Sequence, residues 1–164
     1  MAQTALMMGS DSDWPALEPA LKTFEELGLE CIVRVLSAHR TPDQTREFVL
    51  EAEKQGVKVF LCAAGVSAHL AGAVAAHTSR PVIGIPVASG ALGGLDALLS
   101  TVQMPPGVPV ATVAIGGAVN AAVLAAQIIA TGDPAVANRV SQWRQAQTAR
   151  VLEKDKNLRA RLGQ

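Results

Sequence analysis

Tyrosine is absent from the 164 residues, and two tryptophans and three phenylalanines are the whole aromatic content. A site that stacks a flavin between rings has little to build with. An excess of one charge is also lacking, since 14 basic residues balance 14 acidic ones, and the basic residues are scattered except near the C-terminus. That balance argues against a nucleic-acid or membrane-binding face, so any bound anion must be held by local groups. Cys31 and Cys62 each stand alone in an apolar run, without the spacing of a zinc site or redox motif; they read as two buried thiols in a reducing cytoplasm.

The N-terminal "MAQTALMMGS" lacks the basic and apolar regions of a signal peptide. The only membrane-like window, Val57 to Ala76, contains Lys58, Ser67, His69 and two glycines, and reads better as strand, loop and helix. Several chemical signatures are missing: G-x-G-x-x-G, the P-loop, G-x-S-x-G, a Cys/His metal set and the acidic cluster of a phospho-acceptor receiver.

What is present is a set of short β-branched apolar runs in the manner of fully buried strands: "TALMM" (4–8), "CIVRVL" (31–36), "VKVFLCAA" (57–64), "PVIGIPV" (81–87) and "PVATVAI" (109–115). Helical patterns alternate with them. Leu17, Ala20, Leu21, Phe24 and Leu27 share one face of a helix that starts at Asp13 or Trp14 and stops at Gly28. Thr41, Pro42 and Gln44 fit a capping box that opens a second helix, which ends at Gly56. "SAHLAGAVAAHT" and "GGAVNAAVLAAQIIATG" are apolar nearly all round, as in helices packed between a sheet and a neighbouring subunit. A last helix begins at Asp133 and Pro134 and ends in a charged tail.

Alternating strands and helices imply a parallel sheet covered on both faces. The expected fold is therefore α/β: a three-layer α/β/α sandwich with a flavodoxin-like, five-stranded parallel sheet and a C-terminal helix. One domain is expected over 1–164, with its core at about 4–132 and the C-terminal helix and tail at about 133–164. Ligands of such folds bind at the carboxyl ends of the strands, beside the point where strand order reverses.

Four loops lie at those ends. "GSDSDWP" offers Ser10 and Ser12 hydroxyls at a helix N-terminus, where an anion is favoured, although Asp11 and Asp13 repel phosphate and Asp13 suits capping or a sugar hydroxyl better. An ordinary helix cap is the plainer reading of that stretch. In "SAHRTP", Arg40 can clamp a phosphate and Ser37 can donate to it. His39 is the candidate for moving a proton, because histidine is the side chain that titrates nearest neutrality, though a lone loop histidine is more often structural. "AGVSAHLAG" brings small residues and His69, suiting a compact or planar group or simply tight helix packing. "ASGALGGLDALLSTVQMP", with Ser89, Gly90, Gly93 and Gly94, reads as a flexible loop able to act as a lid.

The stretches "MGSDSDW", "SAHRTP", "AHLAG", "PVIGIPV", "LLSTVQMPPGVPVATVAI" and "NAAVLAAQI" together closely resemble the class I 5-(carboxyamino)imidazole ribonucleotide mutase family of bacterial purine biosynthesis, from about Thr4 to about Val151. The resemblance implies a cytoplasmic isomerase that moves a carboxylate from the exocyclic nitrogen of an aminoimidazole ribonucleotide to a ring carbon, without metal, biotin, ATP or other cofactor. It implies that His39 is the general acid and base, that Ser10, Asp13, Ser37 and Arg40 bind the ribonucleotide, and that Ala64, Gly65, Ser67, His69 and Leu70 wall a carbon dioxide pocket. It implies a homo-octamer with sites near subunit contacts, and no nucleic-acid or membrane partner. The third loop departs from the family's usual "AGGAAHLPG" at Val66, Ser67 and Ala71, which bears on loop closure and rate. Two alternatives stand beside this reading: a direct aminoimidazole ribonucleotide carboxylase, against which Arg40 and His69 speak, and a non-catalytic flavodoxin-like nucleotide-binding module.

Overall fold

A computed structural model describes residues 1–164 of the chain. The strands are β1 (Thr4–Met8), β2 (Cys31–Val35), β3 (Val59–Ala64), β4 (Val82–Pro86) and β5 (Ala111–Thr112), all parallel and in the order β2-β1-β3-β4-β5. The helices are α1 (Trp14–Glu26), α2 (Pro42–Lys54), α3 (Leu70–Ala75), α4 (Leu95–Val102), α5 (Ala118–Ala130) and α6 (Pro134–Leu162). This is the expected flavodoxin-like α/β arrangement, with the reversal of strand order falling between β1 and β3.

Alternation along β1 divides the core. Leu6 and Met8 turn to one face, where α1 and α5 cover the sheet and Val136 and Val140 of α6 complete the cluster. Ala5 and Met7 turn to the other, against Val49 and Ala52 of α2 and Leu70, Ala71 and Val74 of α3. Burial on both faces explains why the central runs are apolar without interruption.

The outer strands differ from the expectation of five fully buried ones. β2 is half-buried in its first three residues and exposed at Arg34 and Val35, because it lies at the sheet edge. Cys31 on it is accordingly half-buried, whereas Cys62 is buried as expected. β5 pairs with β4 over only two residues, Ala111 and Thr112, in a segment preceded by Pro105, Pro106 and Pro109, which cannot donate to the ladder.

Local helix signals are also redistributed. Gly28 takes φ +63° just beyond α1, as a helix stop requires. Thr41 does not form the expected capping box: its Oγ1 accepts from the Ser37 amide at 2.8 Å and donates to the Ser37 carbonyl at 3.1 Å, so the side chain closes the preceding turn instead. The expected helix across "SAHLAGAVAAHT" contracts to the six residues of α3, and much of the expected lid segment is ordered as α4.

Candidate active site

A cavity of about 500 Å³ opens at the carboxyl ends of β1 to β4 and is lined by the loops that follow them. The first contributes Ser10 and Asp13, the second Ser37, His39 and Arg40, and the third Ala64, Gly65, Ser67, His69 and Leu70. All ten residues singled out in the sequence thus meet at one place, although His39 and His69 are 30 positions apart. Ser12, Val66 and Ser89 also line it; the sequence marks Ser12 as an anion donor, and Val66 and Ser89 only as parts of loops that bear on closure, until the fold sets those loops around one opening.

The first loop forms one 3-10 turn, Asp11–Asp13, before α1. Its polar groups satisfy one another: Ser12 Oγ donates to Ser10 Oγ at 2.8 Å, the Ser12 amide donates to the same oxygen at 3.3 Å, and the Asp13 amide donates to the Ser10 carbonyl. Hydroxyl protons can rotate, so the pair can be turned to donate to an anion, while the Ser12 and Asp13 amides are already occupied. Asp13 stands at the start of α1 without capping it by its side chain, which leaves the carboxylate to the cavity. Burial there raises its pKa above the ordinary carboxylate value, with the Asp11 charge adding to the rise and a hydrogen bond involving the Ser10 backbone opposing it.

The second loop is held by its own serine. Ser37 Oγ accepts from the Arg40 amide at 3.2 Å, and Thr41 closes the turn from the other side. Arg40 reaches across to donate from one guanidinium nitrogen to the Gly9 carbonyl at 3.0 Å, tying the second loop to the first. The remaining N–H groups of the fork are available to a phosphate or carboxylate.

Within the cavity His39 Nε2 lies 2.8 Å from His69 Nδ1, with the rings edge to face at 82°. One nitrogen donates and the other accepts, so the contact holds a proton between two imidazoles. Beside it the wall is Ala64, Gly65 and the backbone of the third loop. Val66 adopts φ +53°, a left-handed conformation that is costly for a β-branched residue, and its side chain is exposed.

The fold and the crevice define a class: doubly wound α/β proteins that take a small ligand where strand order reverses. Residues 3–150 match the family model described as AIR carboxylase. The chain belongs to the AIR carboxylase family. Relatives named N5-carboxyaminoimidazole ribonucleotide mutase include that of Escherichia coli K12, 52% identical over 93% of this chain and 91% of its own length. The Brucella melitensis protein is 52% identical over 93% and 96%, and the Thermotoga maritima protein is 46% identical over 96% and 92%. The crystal structure of Treponema denticola PurE superposes with a TM-score of 0.86 at 29% identity, covering 94% of this chain and 97% of that one.

Proposed function

We propose that this chain is an isomerase that converts N5-carboxyaminoimidazole ribonucleotide into 4-carboxy-5-aminoimidazole ribonucleotide in purine biosynthesis. The observation that carries the proposal is the His39–His69 contact, set in one cavity between the polar residues Ser10, Asp13 and Arg40 and the small-residue wall at Ala64 and Gly65. The relatives named as mutases, about half identical over nearly the whole chain, support the same reading.

The ribonucleotide phosphate is assigned to Ser10 and Arg40, with Ser37 beside them, and the ribose to Asp13. The bond between the exocyclic nitrogen and the carboxylate carbon breaks, and its electron pair passes through the ring system to the ring carbon, which takes a proton from His39. Carbon dioxide is retained by the third loop, where Ala64, Gly65 and Leu70 present a dry surface and water is excluded. His39 takes back one of the two protons now on that carbon and the proton passes to the exocyclic nitrogen, which restores the nucleophilic aminoimidazole; its ring carbon then attacks carbon dioxide, forming the new carbon–carbon bond, and His39 removes the remaining ring proton so that aromaticity returns. Atoms and electrons balance over the cycle without an oxidant, reductant or phosphoryl donor. His69 gives His39 a neighbouring imidazole with which to exchange that proton between the two steps. The reading extends to a single domain acting in the cytoplasm as a homo-octamer.

His39→Asn tests it directly. Turnover is expected to fall by about a thousand-fold, within the range for loss of a positioned acid and base, while ribonucleotide binding measured by calorimetry is retained. Retained turnover would defeat the mechanism. Supplying the wild-type enzyme with each substrate separately sets the mutase apart from a direct carboxylase: product formed only from aminoimidazole ribonucleotide with bicarbonate would exclude the mutase.

A further inference from the structure

Ser89 stands in the cavity without an assigned task. It follows β4, the strand beside β3, and the Val87 amide donates to the Ala64 carbonyl at 3.0 Å, so the third and fourth loops leave the sheet side by side. Their approach is close enough that any Cβ at position 65 would overlap the Ser89 hydroxyl. Residue 65 must be glycine for that hydroxyl to sit where it does. Ser89 is half-buried, and no side-chain or backbone group of the chain accepts its proton, whereas Ser67 on the neighbouring loop is exposed.

We propose that the Ser89 hydroxyl, admitted by Gly65, donates a hydrogen bond to the carboxyl group that migrates. This assignment rests on the mutase reading. A wall of alanine and glycine retains carbon dioxide but does not orient it, and a carboxylate leaving one atom and joining another needs at least one fixed donor to hold its plane between the two. The hydroxyl serves the carboxylate in substrate and product alike, and in the interval it holds an oxygen of carbon dioxide. Its proton stays on the oxygen throughout.

The test uses full-length wild-type enzyme, Ser89→Ala and Ser89→Thr. Two quantities are read: the rate of conversion of N5-carboxyaminoimidazole ribonucleotide, and the amount of aminoimidazole ribonucleotide released per carboxylated product. Loss of one hydrogen bond to a charged group corresponds to a fall in kcat/KM of about 10- to 100-fold, so Ser89→Ala is expected in that range. It is also expected to release more aminoimidazole ribonucleotide, because unheld carbon dioxide escapes. Ser89→Thr, which keeps the hydroxyl, is expected to restore the wild-type partition. Wild-type kcat/KM and partition in Ser89→Ala, or a Ser89→Thr enzyme that leaks as Ser89→Ala does, overturns the role of Ser89 while the mutase reading stands. A wild-type enzyme that cannot convert the N-carboxylated substrate overturns both.

Discussion

Val66 holds a backbone conformation that few β-branched residues adopt, and its Cγ2 faces the turn at Gly90 on the opposite loop. Asparagine tolerates the left-handed region, so Val66→Asn is expected to stabilise the fold by about 1 kcal/mol, read as a rise in Tm, with a changed kcat if the strained loop gates the cavity. Asp13 makes a prediction of opposite character. Its pKa is raised by burial, so the folded chain binds this proton more readily than the unfolded one, and stability from this group falls as pH rises through the folded-state value. Asp13→Asn is therefore expected to raise Tm at neutral pH, with the gain closing in acid where the carboxyl is itself protonated, and to raise KM for the ribonucleotide. Thermal unfolding at stepped pH, alongside steady-state kinetics, checks both halves. Cys31 has its thiol pushed up to about 11, chiefly by burial, and Cys62 is pushed higher still for the same reason. Neither is expected to react appreciably with a thiol reagent at neutral pH until the protein unfolds.

Among the elements, α1 carries a defect that its apolar face conceals. Pro19 lies inside the helix with its ring exposed, and it lacks the amide that would bond to the Pro15 carbonyl. Pro19→Ala is expected to stabilise the fold by about 1–3 kcal/mol without altering kcat, as denaturant unfolding and kinetics will show. Thr41→Val should do the reverse: it leaves the Ser37 amide unpartnered, costs about 1–2 kcal/mol, and lowers kcat because the same turn carries His39. These two residues also show what could be read from sequence. β1, β3 and β4 were legible because burial on both faces leaves an unbroken apolar run, whereas β2 and β5 sit at edges where that rule weakens. Thr41 carried the pattern of a capping box, yet Ser37 four residues earlier competes for its hydroxyl, and such competition has no signature in residue type. His39, Ser10 and Arg40 could be singled out from their loops, but the His39–His69 contact and the place of Ser89 depend on which strands become neighbours.

As a whole, the chain exposes 9035 Å², against roughly 7,700 Å² expected from its mass for a folded monomer. The excess comes with large exposed apolar side chains: Leu92, Leu95, Leu99 and Val102 around α4, and Val151, Leu152, Leu158 and Leu162 along an α6 whose last turns touch nothing. Such surface is what association covers. Sedimentation is expected to find an assembly well above 17.0 kDa, and Leu99→Asp to shift it toward smaller species; a monomer at micromolar concentration would refute the octamer.

The close approach of Gly65 to Ser89 constrains the order in which descendants of this chain can change. Gly65→Ala would collide with the hydroxyl while Ser89 remains, but the same alanine is accommodated once Ser89→Gly has occurred. The two positions are therefore epistatic: alanine at residue 65 costs the placement of the Ser89 hydroxyl when it comes first and costs nothing there when Ser89→Gly precedes it, so the effect of each change depends on which came before.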